Sequence, residues 1–369
     1  MRARLPIFIA IVQSILILMH LFLYVTWRFF WGPTDSSALF TVRVTLALLS
    51  VSFVAASLLA FRYSNFLVRI FYTLSATWLG LGNFFFLAAC ASWIVYVVPR
   101  LFGVRLERRP LAIVIFGLGF LAGVYGIANA ARTRVKKIAV KLPNLPESWR
   151  GRTAAMVSDL HLGHVRNVGF LRHIIKMLVR LRPDVVFIPG DLYDGTAVDL
   201  DRLAEPWAQF SAPLGSYFVT GNHEQFSSTT KYADAVKRSG IRVLENEKVV
   251  VDGLQIVGVH YRDSVNVERF RSVVRNAALD RSAASILLVH TPDRLPVAAE
   301  EGFSLQLSGH THRGQFFPFT LIVSRIYGKF AYGLNRSDGL AVYTSCGAGT
   351  WGPPLRLGSN PEIVLIRFE

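Results

Sequence analysis

The chain has 369 residues, 52% of them hydrophobic and 17% charged, with 40 Lys and Arg against 24 Asp and Glu for a formal charge of +16. Two cysteines, Cys90 in an apolar stretch and Cys346 far along the polar part, are not expected to pair, so a disulfide-framed scaffold is excluded. The charge does not make a nucleic-acid binder: residues 1–130 hold ten Arg and only Asp35 and Glu107 as acids, which is half of the excess, and neither an aromatic RNA platform nor a helix-turn-helix signature accompanies the rest. Attraction to a membrane surface or to an anionic substrate accounts for it better.

In chain order, residues 1–131 read as a transmembrane domain of four helices. The apolar stretches Leu5–Phe30, Leu39–Phe61, Ile70–Val98 and Leu111–Ala131 each reach the roughly 20 residues a span needs. The third is long, which implies tilt or a break near Gly80-Leu-Gly-Asn83. A cleavable signal peptide would need a shorter apolar run and a small-x-small cleavage site, so the first stretch is expected to stay as a span. Arg2, Arg4, Arg62, Arg69, Arg132, Arg134, Lys136, Lys137 and Lys141 fall on one side of four spans. Arg28, Arg43, Arg100, Arg105, Arg108 and Arg109 fall on the other. By the positive-inside rule this favours a cytoplasmic catalytic domain on an inner (plasma) membrane. His20 and Asn83 are the polar residues inside the spans, and a neutral His there can simply hydrogen-bond across the bundle. Gly119-x-x-x-Gly123 lies within an apolar span with no strand before it, so it reads as helix packing and not as a dinucleotide fingerprint.

Residues 132–150 read as a basic linker, RTRVKK followed by Pro143 and Pro146, able to touch anionic lipid. Residues 151–369 are enough for an independent core. Short apolar strands there run straight into polar clusters. Ala154 to Val157 leads to SDLHLG, Val185 to Ile188 to PGDLYDG, Tyr217 to Val219 to TGNHE, Ile286 to Val289 to His290, and Leu305 to Leu307 to SGHTHRGQ. Between the first two, Val168 to Leu181 carries Phe170, Leu171, Ile174, Ile175 and Leu178 at helical spacing, as a crossover helix should, with His173 solvated. Leu254 to Val259, Leu340 to Thr344 and Ile363 to Ile366 suggest a second sheet packed on the first.

Sites in α/β sheets gather at the carboxyl ends of strands. Asp159 and His161, two apart, would project from one side of an extended segment, as would His310 and His312. Together with Asp191, Asn222, His223 and His290 they form a set of oxygen and nitrogen donors without a thiolate, which suits Mn, Fe or Zn better than a soft-metal site.

The order D-x-H, G-D, G-N-H-[DE], H, G-H-x-H, with 32 residues from Asp159 to Asp191 and 31 from Asp191 to Asn222, resembles the calcineurin-like metallophosphoesterases over about residues 150–369. The resemblance implies an α/β four-layer α/β/β/α sandwich. It implies two divalent metal ions: Asp159, His161 and His312 on the first, Asn222, His290 and His310 on the second, Asp191 bridging both, and manganese foremost. It also implies that His223 is no ligand but stands beside the scissile bond to protonate the leaving oxygen, oriented by Glu224. Two cations about 3.5–4 Å apart clamp phosphoryl oxygens and lower the pKa of a shared water, so a bridging hydroxide becomes the nucleophile. The tail from Ser345 to Ile363 resembles the ending of a bacterial, membrane-attached subgroup, with its glycines making turns or a loop over the metals and Arg356 contacting phosphate or pairing with Glu362. His164, His260 and Arg313 are expected to support the site or face solvent.

The expected activity is therefore hydrolysis of a phosphodiester or pyrophosphate in an anionic lipid or lipid-linked phosphate, with UDP-2,3-diacylglucosamine the leading specific substrate and the bilayer as partner. The alternative is a membrane-anchored domain that binds a ligand or partner without catalysis. The complete ligand set speaks against that, and loops that vary within the family set the specificity.

Overall fold

The structure, a computed structural model, describes residues 4–32, 35–226 and 229–369. It divides into two compact units, Met1–Ala128 with Gly352–Leu355, and Asn129–Trp351 with Arg356–Glu369. Arg2, counted above among the orienting cations, lies outside the described residues.

The first unit is built from α1 (Arg4–Trp31), α2 (Ser36–Ala60), α3 (Phe66–Leu101) and α4 (Arg108–Ala130). All four are long and apolar enough to cross a membrane. Their outward side chains, among them Phe8, Leu18, Leu48, Leu67, Leu118 and Leu121, are exposed and apolar where a helix in water would be polar. Several polar groups turn inward and find partners. Trp78 Nε1 donates to His20 Nε2 at 2.9 Å, Trp93 Nε1 to Thr26 Oγ1 at 2.9 Å, and Gln13 Nε2 to the Ser50 carbonyl at 3.0 Å. His20 is thus the cross-bundle hydrogen bonder anticipated. Gly119 and Gly123 lie against Ala88, Phe84 and Leu81 of α3, so the small-residue pair does serve packing. Of the two alternatives, tilt or a break near Gly80–Asn83, the break does not occur: α3 runs unbroken for 36 residues, about 54 Å at 1.5 Å per residue. Gly82 fits against Met19 and Trp78 instead of opening the helix, and a helical glycine costs only about 1 kcal/mol.

The second unit has two six-stranded sheets. In chain order the strands are β1 (Arg134–Val140), β2 (Thr153–Met156), β3 (Val185–Pro189), β4 (Ser216–Val219), β5 (Arg242–Val243), β6 (Glu247–Val251), β7 (Leu254–Gly258), β8 (Ser285–Leu288), β9 (Leu305–Ser308), β10 (Gly333–Ser337), β11 (Leu340–Thr344) and β12 (Glu362–Phe368). The helices between them are α5 (Val168–Leu181), α6 (Leu200–Ala204), α7 (Thr229–Arg238), α8 (Tyr261–Ser264), α9 (Val267–Asn276), α10 (Leu295–Glu300) and α11 (Phe319–Tyr327). One sheet has the order β1-β12-β2-β3-β4-β5 and the other β10-β11-β9-β8-β7-β6.

Strand alternation sorts the side chains into layers. Val186 and Ile188 of β3 pack with Leu171, Ile174, Ile175 and Leu178 of α5 and with Tyr232 and Val236 of α7. Val185 and Phe187 face the other way, onto Ile256, Ile286, Leu288, Leu305 and Leu307 of the second sheet. Beyond that sheet, Val257, Leu287 and Val342 meet Phe270 and Val274 of α9 and Val297 and Ala298 of α10. The result is the expected helix, sheet, sheet, helix sandwich.

Two assignments change. Residues 134–140, expected within a basic linker, form β1, paired in parallel with β12, and exposed Arg134, Lys136 and Lys137 guard that sheet edge from further pairing. The strand around Ile363–Ile366 belongs to the first sheet, not the second, since β12 inserts between β1 and β2 and runs antiparallel to β2.

Candidate metal centre

Every polar cluster follows a strand end. Asp159 and His161 follow β2, Asp191 follows β3, Asn222 and His223 follow β4, His290 follows β8, and His310 and His312 follow β9. Because β2, β3 and β4 are parallel neighbours in one sheet and β8 and β9 in the other, the five loops converge at one edge of the sandwich.

The local backbone is not the extended one expected. Asp159, His161, Asp191, His310 and His312 have φ of 53°, 48°, 52°, 71° and 46°, all left-handed. Alternation along a strand is therefore not what brings Asp159 to His161 or His310 to His312: each pair sits on a kinked loop. Left-handed non-glycine residues cost of order 1–3 kcal/mol each and cluster at functional sites. Close packing of glycines holds the kinks. Gly221 and Gly309 leave no room for a Cβ, which would run into the Asp191 carboxylate in the first case and into Ser158 and Asp159 in the second.

Two groups of donor atoms result. His161 Nε2 and His312 Nε2 are 3.0 Å apart, with Asp159 Oδ1 at 3.7 Å from His312 Nε2. His290 Nε2 lies 3.0 Å from Asn222 Oδ1 and 3.2 Å from His310 Nδ1, and His310 Nδ1 lies 3.0 Å from Asn222 Oδ1. Asp191 Oδ2 spans the two, 3.2 Å from His290 Nε2 and 3.8 Å from His161 Nε2. The seven residues expected to be ligands are thus brought together at this edge, and among the described residues Asp159, His161 and His312, or Asp159, Asp191 and His290, lie close enough to share an ion.

The chemistry of the donors fits cations. His290 Nδ1–H donates to the Pro189 carbonyl at 2.8 Å, which leaves Nε2 of the neutral ring as a lone pair aimed at Asn222 Oδ1, Asp191 Oδ2 and His310 Nδ1. Acceptors facing acceptors in a buried site repel unless a positive charge lies between them. In the metal-free protein a proton takes that place. Burial opposes it, but Asp191 and Asp159 prevail and the His290 imidazole is pushed up to about 9. Burial and the neighbouring His290 push His310 down to about 3. Burial, His161 and Arg356 hold His312 well below the usual imidazole range. Asp191, although buried, is held well below the carboxylate range by His290 and His223.

His223 is set apart from both groups by its hydrogen bonds. Its Nδ1–H donates to the Asp194 carbonyl at 2.8 Å and its backbone N–H to Asp191 Oδ1 at 3.0 Å. The ring stands edge-on to His161, with centroids 4.5 Å apart, and Phe226 and Trp351 flank it at 4.5 and 5.9 Å. Burial lowers its pKa. Glu224, expected to orient His223, does something else: its carboxylate accepts from the backbone N–H groups of Asp191, Tyr193 and Gly221 at 3.1, 3.1 and 2.7 Å, tying two ligand loops together. Burial and then Asp191 raise it to about 7.

Two contributors were not picked out by their motifs, and a third, Arg356, has a role other than those expected. Asp194, three residues after Asp191 in PGDLYDG, is buried with Oδ1 3.6 Å from His161 Nδ1 and 3.9 Å from His223 Nδ1, and the spacing was the available signal. Ser158 donates to Asp159 Oδ2. Arg356 is fully buried and neither reaches outward for phosphate nor pairs with Glu362. Its guanidinium donates to the carbonyls of Cys346 at 2.7 Å and Gly349 at 2.6 Å, and its Nη2 lies 3.0 Å from His312 Nδ1. Glu362 instead accepts from Tyr332, Tyr343 and Ser345 hydroxyls at 2.8, 3.2 and 3.1 Å. The tail glycines are there for close approach: Ala348 and Gly349 N–H groups donate to the Ser158 and Asp159 carbonyls at 2.9 Å, backing the first ligand loop. His164 is buried, His260 caps α8, and Arg313 is exposed over the Tyr332 ring.

Comparison with known proteins agrees with this geometry. The profile of the family described as calcineurin-like phosphoesterase matches residues 153–314. A transmembrane protein with metallophosphoesterase domain from Danio rerio is 34% identical over 66% of this chain and 59% of its own length, so the chain spans less than two thirds of that relative. A metallophosphoesterase of Campylobacter jejuni is 30% identical over 85% of the chain and 86% of its own length. One from Aquifex aeolicus is 32% identical over 68% and 98%.

Proposed function

This chain belongs to the calcineurin-like metallophosphoesterases, and from that membership we propose that it is a membrane-embedded phosphoesterase that uses two metal ions to hydrolyse a phosphodiester or pyrophosphate bond in an anionic lipid. The observation that carries the reading is the convergence of seven buried or half-buried oxygen and nitrogen ligand atoms into two groups that share Asp191. Asp159, His161 and His312 would hold one cation, Asn222, His290 and His310 the other, and Asp191 both. Bound there, two divalent cations neutralise phosphoryl oxygens and acidify water near neutral pH. Oxygen and imidazole donors without thiolate suit Mn, Fe or Zn better than a soft metal, and of these manganese, implied by the family resemblance, is the one we propose.

The protein's own residues supply the rest. Asn222 binds without a negative charge that would repel phosphate. His223 spends its Nδ1–H on Asp194, so Nε2 is the atom that carries or releases a proton, and burial makes its imidazolium the stronger acid toward a leaving oxygen. Glu224 and Arg356 keep the ligand loops in register.

Four helices able to cross a membrane in the same chain support a substrate confined to the bilayer, because anchoring shortens the search only for a substrate that stays there. UDP-2,3-diacylglucosamine is the specific case we propose. It requires a cytoplasmic active site, which the Arg and Lys count favours. The test is full-length protein in detergent, stripped with chelator and reloaded. Hydrolysis of an aryl phosphodiester should vanish and return with Mn, and Asp191→Asn should abolish it along with metal binding at both positions. Turnover that survives chelation, or wild-type turnover by Asp191→Asn, would refute the two-metal reading.

A further inference from the structure

The helix α11 follows the His310–His312 loop, and of its nine residues none is buried. Phe319, Ile322 and Ile326 recur at i, i+3 and i+7 and share one face, with exposures of 46%, 50% and 66%, and Leu321 beside them is 61% exposed. Half-buried Val323 and Tyr327 turn to the domain. A surface helix in water places its charged residues on the outer face and its apolar stripe on the core; here the apolar stripe faces out.

The surrounding sequence says what would cover it. From Arg313 to Ser337 there is no Asp or Glu, while Arg313, Arg325, Lys329 and Arg336 are all exposed. An apolar face flanked by cations is the pattern of a helix lying in the headgroup layer of an anionic membrane. A protein partner would be expected to leave some acidic or neutral polar rim, and this segment has none of the first. The same chain carries four helices able to span a bilayer, and only Ala131–Thr133 separate α4 from β1.

The helix is also tied to the reacting centre. Gly314 leaves no room for a Cβ against the Phe319 backbone, and the Tyr327 ring lies 6.3 Å from that of His310. Exposed Trp351, which stands against His223, is held by Gln315 through two hydrogen bonds of 3.1 and 3.0 Å.

We propose that α11 is an interfacial docking helix: Phe319, Leu321, Ile322 and Ile326 sink among the acyl chains while Arg325 and Lys329 engage anionic headgroups, which brings the lipid phosphate to the metal loops. The inference rests on the lipid-substrate reading above and adds the surface through which that substrate arrives.

The test uses the full chain reconstituted in vesicles of phosphatidylethanolamine and phosphatidylglycerol, with a photo-crosslinking phenylalanine in place of Ile322. A matched control carries it in place of Val250, which is 61% exposed on β6. Phospholipid adducts at 322 and not at 250 are expected. Crosslinks from 322 to protein, whether a second copy or another chain, or adducts equal at both positions, would overturn the proposal. In a second arm, Ile322→Glu with Ile326→Glu should lower the ratio of vesicle-lipid to water-soluble ester hydrolysis at least tenfold, and an unchanged ratio counts against docking. An enzyme that cleaves no lipid ester but still gives adducts at 322 would sink the lipid-substrate reading and leave the docking helix standing.

Discussion

Replacing Arg356 by Met isolates what its buried guanidinium does, because Met keeps the length of the stem and removes all five N–H donors. Among the described residues Arg356 has no carboxylate partner in an ion pair; the cation is met by the carbonyls of Cys346 at 2.7 Å and Gly349 at 2.6 and 3.1 Å, more distantly by those of Gly347 at 3.3 Å and His312 at 3.5 Å, and by Ser359 Oγ at 3.2 Å and His312 Nδ1 at 3.0 Å. Each buried acceptor left without its donor costs about 1–3 kcal/mol. Two carbonyls therefore cost about 2–6 kcal/mol. The variant also recovers the desolvation penalty of a buried charge, but guanidinium is weakly hydrated and this one is well supplied with acceptors, so the recovery is the smaller quantity. The expected net loss is about 2–4 kcal/mol, which for a domain of this size lowers the melting temperature by roughly 4–16 °C. The function should suffer more than the fold, since the freed loop no longer backs Asp159 and the His312 ring loses its neighbour. Arg356→Lys keeps a charge without the planar fork and should fall between the two. The assay is a melting curve in detergent for each variant with and without Mn, together with metal content by elemental analysis. An Arg356→Met protein that melts within about 2 °C of wild type and holds a full complement of metal would refute the reasoning.

Two further outcomes follow from the same geometry. His223→Ala should lower kcat by about 10²–10⁴ while metal content stays near normal, because Nδ1 is spent on Asp194 and the ring lies outside both donor groups; loss of metal would make it a ligand. The His290 imidazole, pushed up to about 9, is protonated at neutral pH in the metal-free protein, and loading must displace that proton. Metal affinity should therefore rise about tenfold per pH unit from neutrality to about 9 and level off above it, read by calorimetry in buffers of different ionisation enthalpy. The ion pair that this proton makes with Asp191 stabilises the metal-free fold below the ordinary imidazole value and is lost as pH rises through about 9. Affinity that is flat with pH over that range would contradict the assignment.

Much of the site was legible because its parts are local. An apolar run of four or five residues ending in Asp, His or Asn states both a strand and what its end carries, and β2, β3, β4, β8 and β9 all obey it within a residue or two. The crossover helix Val168–Leu181 was legible to the residue because its apolar face has a strict helical period and Asn167 caps it. What stayed hidden depends on contacts distant in the chain. That Arg356 serves carbonyls, that Glu224 ties Asp191 to Gly221, and that residues 134–140 are a strand depend on partners which no spacing announces. The left-handed backbone of Asp159, His161, Asp191, His310 and His312 was hidden for another reason: Asp and His enter that region more readily than most residues, but the sequence does not say which of them their surroundings hold there. The unbroken α3 shows the converse, since Gly80 and Gly82 permit a break without requiring one.

The position of β12 bears on how this domain is made. On the ribosome β2 emerges early, yet its partner on one side, β12, follows every strand of the other sheet. Until then β2 has an open edge, β1 has no partner at all, and the Arg356 that steadies the His312 loop has not been synthesised. The pairings of β12 with β1 and β2 are among the most distant in the chain, and such contacts form slowly. The nascent domain thus passes a period with unpaired strand edges, the condition under which chains associate wrongly, and it cannot mature one half at a time. The first sheet, the backing of the ligand loops and therefore the metal centre are completed together, late, by one strand.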